Sequence, residues 1–384
     1  MTSTETRERA RNVVLLGIGH TNAHIVKEWA HDPIPDCKLI CISKFPTATY
    51  SGMLPGTLGW QFSDEEMRID LESLCDRAGA ELILADTTGL NLSAGELCLS
   101  DRSPIRFDAL SVGVGSMPAG WREHSGSPLL VPIKPMQTFL QRLNDRLEQD
   151  GRSRDQLQHV AIVGGGVASV EIALCLHEQC RKRDFKCQLR IEIFTSSDRV
   201  APDMSSRSVR RIEKLLSERD IAIQTGHRVT EVGESDFLTD DGQRHQSDCV
   251  IWATGAAPPP VLERLGLRTD DRGFIATSDT LQSLSDPRIF AVGDSGTVLA
   301  SPSPKAGVYA VRQIPILSNN LRALFDKRPM KHFAPQQGFL KILNTGDGNA
   351  LLEYGWFTVH ARWCLTLKNW IDKRFISSFQ SPRQ

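Results

Sequence analysis

The sequence predicts an α/β fold with two doubly wound, Rossmann-like parallel sheets, the second inserted in the first, and a C-terminal α+β segment. Three short segments carry this prediction: GIGHTN from Gly17, GGGVAS from Gly164, and FAVGDSG, which contains Asp294. Each glycine turn follows an apolar, strand-like run and opens an amphipathic, helix-like stretch. Such a turn places backbone N–H groups and the positive end of a helix where they bind a pyrophosphate. The two turns therefore predict two dinucleotide sites.

Alternating strand and helix patterns divide the chain into predicted domains. The run Pro258 to Pro260 continues neither a strand nor a helix, so it marks a boundary. The strand-like runs that follow lead to Asp294, and we expect them to return to the first domain. The predicted segments are 11–118 (first domain, first part), 119–257 (second domain), 258–328 (first domain, returning part) and 329–384 (C-terminal interface segment).

Composition indicates an ordinary globular protein. Of 384 residues, 24% are charged and 40% hydrophobic, and the formal net charge is -1, so there is no basic excess for nucleic acid. The polar start of the chain lacks the apolar stretch of a secretory signal, and no uncharged apolar run is long enough to cross a membrane. The cysteines are odd in number and scattered, which is typical of reduced thiols. We expect a cytoplasmic protein.

A metal site is not predicted. His20 and His24 stand four residues apart on one face of the first helix, but no third ligand is evident. The start of that helix is also the expected pyrophosphate site. His20 is therefore counted among the residues that line the cofactor.

The order of these motifs, with Ala-Thr-Gly at 253–255 between the second turn and Asp294, resembles the pyridine nucleotide-disulfide oxidoreductase superfamily of two-dinucleotide-binding-domain flavoproteins. The segments TATYSGMLPG (47–56), SPKAGVYAVRQIP (303–315) and WCLTLKNWIDKRF (363–375) are similar to the NADH-dehydrogenase-like proteins found free or fused to selenide, water dikinase. Type II NADH dehydrogenases and sulfide:quinone oxidoreductases are wider relatives of that group. The resemblance covers nearly the whole chain. It implies FAD on the first domain and NAD(P)H on the second.

The resemblance assigns the FAD site. Gly17 and Gly19 would let the backbone approach the pyrophosphate, and Asp294 would accept a hydrogen bond from the ribityl chain. Two features depart from the family pattern. Asn22 replaces the usual third glycine, which predicts a slightly wider spacing of helix and strand, and Ser43-Lys44 replaces the usual acid at the ribose. The loop from Tyr50 to Pro55 would lie along the isoalloxazine ring.

The second turn would hold the nicotinamide dinucleotide through Gly164 and Gly166, with Ser169 in place of the third glycine. Residues 196–199 offer serine and arginine side chains that suit a 2'-phosphate and an aspartate that suits a ribose, so NADH and NADPH both remain open. The complete set of residues expected to bind a cofactor is Gly17, Gly19, His20, Asn22, Ser43, Lys44, Tyr50, Ser51, Met53, Leu54, Pro55, Gly115, Gly164, Gly166, Ser169, Gly255, Gly293 and Asp294.

Two residues are candidates for catalysis. Glu171 lies in the early turns of its helix, where related enzymes place a glutamate near nicotinamide and flavin; the alternative is a simple interaction with the helix dipole. Lys305 follows a predicted N-cap, Ser303, and a proline suited to the first helical position, so it would add positive charge beside reduced flavin. The alternative is a solvated surface lysine. Pro315 is predicted to kink or end this helix.

The C-terminal segment carries an amphipathic helical pattern. An apolar stripe recurs at helical spacing, and basic residues lie off it. The stripe is Trp363, Leu367, Trp370, Ile371 and Phe375, and the basic residues are Arg362, Lys368 and Lys373. Such a face needs a partner: its own domain, a second subunit in a homodimer through 355–379, or anionic lipid at the inner face of a membrane.

The function implied by the resemblance is an FAD-dependent NAD(P)H oxidoreductase. Hydride would pass from NAD(P)H to the flavin, and electrons would go on to a small-molecule acceptor such as a quinone. No cysteine pair stands where disulfide reductases carry theirs, so no redox-active disulfide is expected. One alternative is a sulfur- or selenium-linked oxidoreductase with Cys41, Cys175 or Cys249 against the flavin. Another is a binding module that responds to flavin or nucleotide and oxidises NAD(P)H negligibly.

Overall fold

A computed structural model describes residues 10–148, 157–182, 188–336 and 338–380. The polar start, on which the prediction of no secretory signal rests, and the last residues of the predicted interface segment lie outside these ranges. The described residues form two compact units. Unit 1 lies within Met1–Ala48, Ile69–Ser116 and Pro258–Pro335, and unit 2 lies within Thr49–Arg68, Met117–Ala257 and Gln336–Gln384.

The elements are numbered in chain order. The strands are β1 (Arg11–Leu16), β2 (Cys37–Ser43), β3 (Thr47–Thr49), β4 (Arg68–Asp70), β5 (Glu81–Leu84), β6 (Thr87–Asn91), β7 (Glu96–Leu99), β8 (Ile105–Arg106), β9 (Ala109–Val112), β10 (Met117–Pro118), β11 (Leu130–Pro132), β12 (Leu157–Val163), β13 (Gln188–Thr195), β14 (Ala222–Thr225), β15 (Val229–Val232), β16 (Asp236–Thr239), β17 (Arg244–Gln246), β18 (Cys249–Trp252), β19 (Ala256–Ala257), β20 (Ile275–Thr277), β21 (Ile289–Ala291), β22 (Gly296–Val298), β23 (Lys341–Asn344), β24 (Ala350–Tyr354) and β25 (Phe357–Ala361). The α-helices are α1 (His20–Trp29), α2 (Leu54–Leu58), α3 (Leu71–Ala78), α4 (Phe139–Glu148), α5 (Val167–Lys182), α6 (Ser206–Ser217), α7 (Pro260–Arg264), α8 (Gly307–Asp326) and α9 (Arg362–Ser377).

Unit 1 is built on a parallel sheet with the strand order β21-β9-β1-β2-β5. The run from Val13 to Leu16 in β1 is buried, as expected for a parallel strand covered on both faces. Helix α1 contacts both α3 and α8. The strand order reverses at β1, between β2 on one side and β9 on the other, and ligands of such sheets bind at the carboxyl ends of the strands at this switch point.

Unit 2 repeats this plan with the parallel order β11-β18-β12-β13-β14, whose switch point is β12. An antiparallel sheet, β15-β16-β17, contributes Phe237 to a core shared with Phe194 and Trp252. A second antiparallel sheet, β23-β24-β25, packs against α9. The predicted fold of two doubly wound sheets, the second inserted in the first, with a C-terminal α+β segment, is confirmed.

Two segments far apart in the chain group within unit 2. They are the residues 49–68 and the described residues between 336 and 380. Helix α2 and strand β23 both contact α5, and the Nζ of Lys182 donates a hydrogen bond to the carbonyl of Gly59 at 2.9 Å. These contacts join residues far apart in sequence, which a pattern along the chain does not reveal.

Helix α8 begins later than its sequence predicts. Its N-cap is Ala306, so Ser303 and the following proline precede the helix. The helix also continues through Pro315 to Asp326 instead of ending at the proline. Among the described residues, no helix combines the length and the apolar character that crossing a membrane requires.

Candidate active site

The first glycine turn lies at the carboxyl end of β1. Gly17 has φ +77°, and a β-carbon there would lie 2.7 Å from the carbonyl oxygen of Gly113, so the turn packs directly against the loop after β9. Gly19 is the N-cap of α1; no side chain caps this helix, and no acidic residue stands in its first turn, which opens at His20. A helix N-terminus of this kind suits an anion. The turn therefore fits the pyrophosphate of a dinucleotide.

Asn22 supports this turn from behind. The side chain is fully buried, and its Nδ2 donates to the carbonyl of Gly17 at 2.8 Å and to that of Ser111 at 3.3 Å. Its Oδ1 accepts a hydrogen bond from the Ser111 hydroxyl at 2.8 Å. The polar atoms of Asn22 are thus engaged within unit 1. Its contribution to a cofactor site would be to hold the glycine turn against β9.

The end of β2 carries the Ser43-Lys44 pair. The Ser43 hydroxyl donates to the carbonyl of Phe45 at 2.7 Å, which closes a local turn. The Nζ of Lys44 lies 3.2 Å from Oδ2 of Asp86, and both side chains are largely exposed. This position is at the carboxyl edge of the sheet, where the sequence expects a ribose contact.

Asp294 lies at the same edge, in a short 3-10 helix, Gly293–Ser295, after β21. Its Oδ2 accepts a hydrogen bond from the Ser116 hydroxyl at 2.6 Å, and the N–H of Gly115 donates to Oγ of Ser295 at 3.0 Å. The N–H of Gly293 donates to the side chain of Gln313 on α8 at 2.6 Å. The parallel strands bring this carboxylate and the first glycine turn to one edge of unit 1.

Lys305 is held by β22 and not by the start of α8. Its Nζ donates to the carbonyl of Gly296 at 2.6 Å and to Oγ1 of Thr297 at 2.9 Å, and it lies 4.0 Å from the ring centre of Phe274. Burial lowers the pKa of this lysine to about 8, and the nearby Asp294 opposes that shift. The Lys305 ammonium therefore loses its proton within the pH range of ordinary assays.

In the second glycine turn, after β12, the first glycine packs against protein and the third borders open space. Gly164 has φ +122°, and a β-carbon there would lie 2.4 Å from the carbonyl oxygen of Ala253. The hydroxyl of Ser169 donates to the same carbonyl at 3.3 Å. By contrast, no atom lies within 4 Å of a β-carbon built on Gly166 or on Gly255. This division suits a turn whose first glycine is structural and whose later glycine admits a pyrophosphate.

Glu171 occupies the fifth position of α5. Its Oε1 accepts a hydrogen bond from the backbone N–H of Asn344, at the end of β23, at 2.8 Å. Burial raises its pKa to about 7, while Lys368 and the Asn344 N–H pull the pKa down and Asp372 pushes it up. A carboxyl with this pKa can both accept and donate a proton at neutral pH.

The loop at 50–55 is anchored by α9. The hydroxyl of Tyr50 donates to Oδ1 of Asp372 at 3.0 Å, and its ring stacks on Phe375 with centroids 4.4 Å apart. The Nζ of Lys368 donates to the carbonyl of Gly52 at 2.7 Å and to Oδ2 of Asp372 at 2.8 Å. Ser51 is half-buried, and the residues Met53, Leu54 and Pro55 are buried.

The chain matches a known protein family over most of its length. The model of the family described as pyridine nucleotide-disulphide oxidoreductase matches residues 11–313, which include both glycine turns and Asp294. The chain belongs to the pyridine nucleotide-disulphide oxidoreductase family. The superfamily and the oxidoreductase class predicted from the sequence are thereby confirmed.

Two named proteins are similar to this chain in sequence. The "NADH dehydrogenase-like protein YutJ" of Bacillus subtilis is 23% identical over 312 residues, which cover 79% of this chain and 82% of that protein. The "Type II NADH:quinone oxidoreductase" of Haemophilus influenzae is 27% identical over 187 residues, 46% of this chain and 42% of that protein. The chain thus spans less than half of the second relative.

Solved structures share the fold of this chain. NDH2 from Plasmodium falciparum in complex with NADH superposes with a TM-score of 0.79 at 13% identity, covering 97% of this chain and 98% of that one. The sulfide:quinone oxidoreductase from Aquifex aeolicus gives a TM-score of 0.77 at 17% identity, with 96% and 91% covered. At these identities the likeness concerns the fold.

Helix α9 differs from its sequence prediction. The basic residue Lys368, expected off the apolar stripe, is buried, while Trp363 and Trp370 of the stripe are 52% and 58% exposed. The buried face consists of Cys364, Leu365, Lys368, Asp372 and Ile376. Sequence reasoning therefore missed Lys368 and Asp372 as parts of the site. The available signal was their i,i+4 spacing, which allows a lysine and an aspartate to pair on one helix face.

The thiols named in the sulfur or selenium alternative are all in the core. Cys41, Cys175 and Cys249 are fully buried. Burial raises the pKa of Cys175 well above its ordinary value and that of Cys249 to about 12, and contact with Cys75 together with burial raises that of Cys41. The thiolate is the reactive form of cysteine, so these residues are poor nucleophiles at neutral pH.

Proposed function

We propose that this protein is an FAD-dependent NAD(P)H oxidoreductase that passes electrons to a small-molecule acceptor such as a quinone, without a redox-active disulfide. The observation that carries the proposal is the repeated arrangement of a parallel strand, a glycine turn and a helix with no acidic residue in its first turn, once in each unit. The relatives named as NADH:quinone oxidoreductases support the quinone. FAD, when bound, supplies an electron carrier that accepts hydride and passes electrons on.

The residues of the chain would divide the work between the two units. In unit 1, Gly17 and Gly19 bind the FAD pyrophosphate, and Asp294 accepts a hydrogen bond from FAD. In unit 2, Gly166 gives the NAD(P)H pyrophosphate access to the start of α5. Glu171 holds or releases a proton at its Oε2 side, since Oε1 accepts from Asn344. Reduction of a quinone takes up protons as well as electrons, which gives this carboxyl a role in acceptor reduction.

Anaerobic stopped-flow spectroscopy of the purified holoenzyme tests this function. We expect NADH or NADPH to bleach the visible flavin absorption, and a quinone to restore it. The comparison of NADH with NADPH identifies the preferred coenzyme. Bound flavin that neither nucleotide bleaches would overturn the proposal and leave the binding-module alternative. The buried, protonated state of the core cysteines weighs against the sulfur or selenium alternative.

Lys305 is proposed to stabilise reduced flavin electrostatically. Removing its charge in Lys305→Met should lower the flavin midpoint potential at pH 6.5 by roughly 30 mV, which is about 1.4 kcal/mol for a two-electron couple. Since the pKa of Lys305 is about 8, wild type loses this charge at higher pH, and the difference should shrink at pH 9.5. Potentiometric titration at the two pH values measures it. Lys305→Arg, which keeps its charge, is the control; equal potentials for wild type and Lys305→Met at pH 6.5 would contradict the role.

We further propose a cytoplasmic protein that contacts the membrane peripherally through the exposed aromatic surface of unit 2. Trp356 is 86% exposed, Trp363 is 52% exposed and Trp370 is 58% exposed. Trp363 and Trp370 lie on α9, and Trp356 lies between β24 and β25. Helix α9 also exposes Arg362, Lys373 and Arg374, while its acid Asp372 is buried and paired. Aromatic and basic side chains together suit an anionic lipid surface.

Vesicle binding tests this surface. The double variant Trp363→Ser/Trp370→Ser should bind vesicles containing anionic lipid about tenfold more weakly, because two large apolar contacts are lost. Trp60→Ser, which removes an exposed tryptophan elsewhere in unit 2, serves as the matched control. Sedimentation velocity of the same variants distinguishes the homodimer: loss of a dimer with no change in vesicle binding would favour a second subunit as the partner.

A further inference from the structure

A buried ion pair on α9 is the feature that the proposed function does not yet use. Lys368 is 9% exposed and Asp372 is 4% exposed, and their side chains meet at 2.8 Å. Taking both charges out of water is unfavourable unless further hydrogen bonds satisfy them. Outside the pair, both side chains bond to one loop: Lys368 donates to the Gly52 carbonyl, and Asp372 accepts from the Tyr50 hydroxyl.

The loop residues are also fixed to one another. The Tyr50 ring stacks on Phe375 at an interplanar angle of 21°. A β-carbon on Gly52 would lie 2.8 Å from Cζ of Tyr50, so the loop folds tightly around this ring. The ring, the Gly52 carbonyl and the ion pair therefore form one packed structure. Movement of α9 would move the loop with it.

The same pair acts on Glu171. Lys368 and Asp372 influence this carboxyl with opposite signs. Cys175, one turn along α5, also interacts with Glu171, and burial raises the pKa of this thiol well above its ordinary value, so it is uncharged at neutral pH. On the β23 side the contact is the backbone N–H of Asn344. The charge beside Glu171 is thus set by the ion pair.

We propose that Lys368 and Asp372 are positioning residues of the active site, which fix the 50–53 loop and set the charge beside Glu171. The proposal rests on the proposed function and on the expectation that this loop lies along the isoalloxazine ring. It assigns Asp372 the central place, because its two oxygens hold Lys368 and Tyr50 separately.

Hydrogen exchange of the holoenzyme tests the positional part. Asp372→Asn should increase amide exchange in peptides covering 50–58 about tenfold, because the loop loses its charged anchor. Asp326→Asn, at an exposed ion pair at the end of α8, is the matched control and should leave this peptide unchanged. Tyr50→Phe removes only the hydroxyl and tests the same contact should Asp372→Asn fail to fold. Unchanged exchange in both variants would overturn the proposal.

Infrared titration tests the electrostatic part without turnover. The carboxyl band that disappears in Glu171→Gln reports the protonation of Glu171. Its pKa should rise in Lys368→Met and fall in Asp372→Asn, each by about half a pH unit or more, since the two charges act in opposite directions. Shifts of the same sign, or none, would contradict the role. These measurements remain readable even if NAD(P)H does not reduce the flavin, so failure of the proposed function is distinguished from failure of this proposal.

Discussion

Gly166→Ala is expected to weaken NAD(P)H binding about tenfold or more while leaving the protein folded. No atom lies within 4 Å of a β-carbon at this position, so the new methyl group meets no protein. It would instead occupy the space through which a pyrophosphate approaches the start of α5. Nucleotide titration of the holoenzyme measures the affinity, and thermal unfolding measures stability.

Gly164→Ala, two residues earlier, is the matched control for that experiment. Its β-carbon would lie 2.4 Å from the carbonyl oxygen of Ala253, and its φ of +122° is strained for any other residue. We expect a loss of roughly 3 kcal/mol or more in stability, with nucleotide binding lost as a consequence. The interpretation of Gly166 fails if Gly166→Ala binds the nucleotide as tightly as wild type, or if both variants lose the same stability.

The fold followed from the sequence because its signals are local. A buried parallel strand is a continuous apolar run, as in Val13 to Leu16, and a glycine turn with φ +77° at Gly17 tolerates few other residues. Both signals lie within a few residues of one another, and both recur in the second unit. The Gly-Asp pair at 293–294 also follows a strand, so the sequence could assign it to the same edge of the first sheet.

The start of α8 shows where local rules fail. Ser303 and the proline after it have the residue types of a helix start, yet the N-cap is Ala306. The ammonium of Lys305 bonds to Gly296 and Thr297, in a strand that the helix-capping pattern does not include. Tertiary hydrogen bonds therefore outweigh the local preference for an earlier start.

Helix α9 shows a second kind of failure. Its apolar periodicity is real, but Trp363 and Trp370 of that stripe are exposed, whereas the lysine at 368 is buried. The ammonium of this lysine is satisfied by Asp372, one helical turn along, and by the carbonyl of Gly52, which is distant in sequence. Asp372 in turn accepts a hydrogen bond from Tyr50. A hydrophobic pattern ranks residues by apolar character alone, so it cannot identify a charged pair that satisfies itself in the core.

Glu171→Gln is expected to slow acceptor reduction by roughly a hundredfold or more while flavin reduction by NAD(P)H persists. General acid-base groups contribute effects of this size, and an amide cannot exchange a proton. Since the pKa of Glu171 is about 7, the pH dependence of acceptor reduction near neutral pH should also disappear. Separate stopped-flow measurements of the two half-reactions between pH 5.5 and about 8.5 test this, and an equal loss in both halves would point to misfolding or lost nucleotide binding.

The same substitution should make the protein more stable at alkaline pH. The folded state raises the pKa of Glu171 from 4.5 to about 7, so between these values it binds a proton that the unfolded chain releases. The stability of wild type should therefore fall as pH rises through this window, and Glu171→Gln should lack that fall, which makes it more stable by roughly 3 kcal/mol at pH 8.

Glu178→Gln, on the same helix, provides the contrast. Its carboxylate is buried, 2.9 Å from the exposed Arg181 and 3.7 Å from the largely buried Arg219. Arg219 also pairs with Asp347 at 2.8 Å, so the amide removes part of the negative charge that balances this guanidinium. We expect this variant to be destabilised at pH 8, opposite in sign to Glu171→Gln. Urea unfolding at pH 5 and about pH 8 measures both. A Glu171→Gln protein less stable than wild type at the higher pH would mean that the carboxylate is stabilised where it lies, and would remove the physical basis for its role in proton transfer.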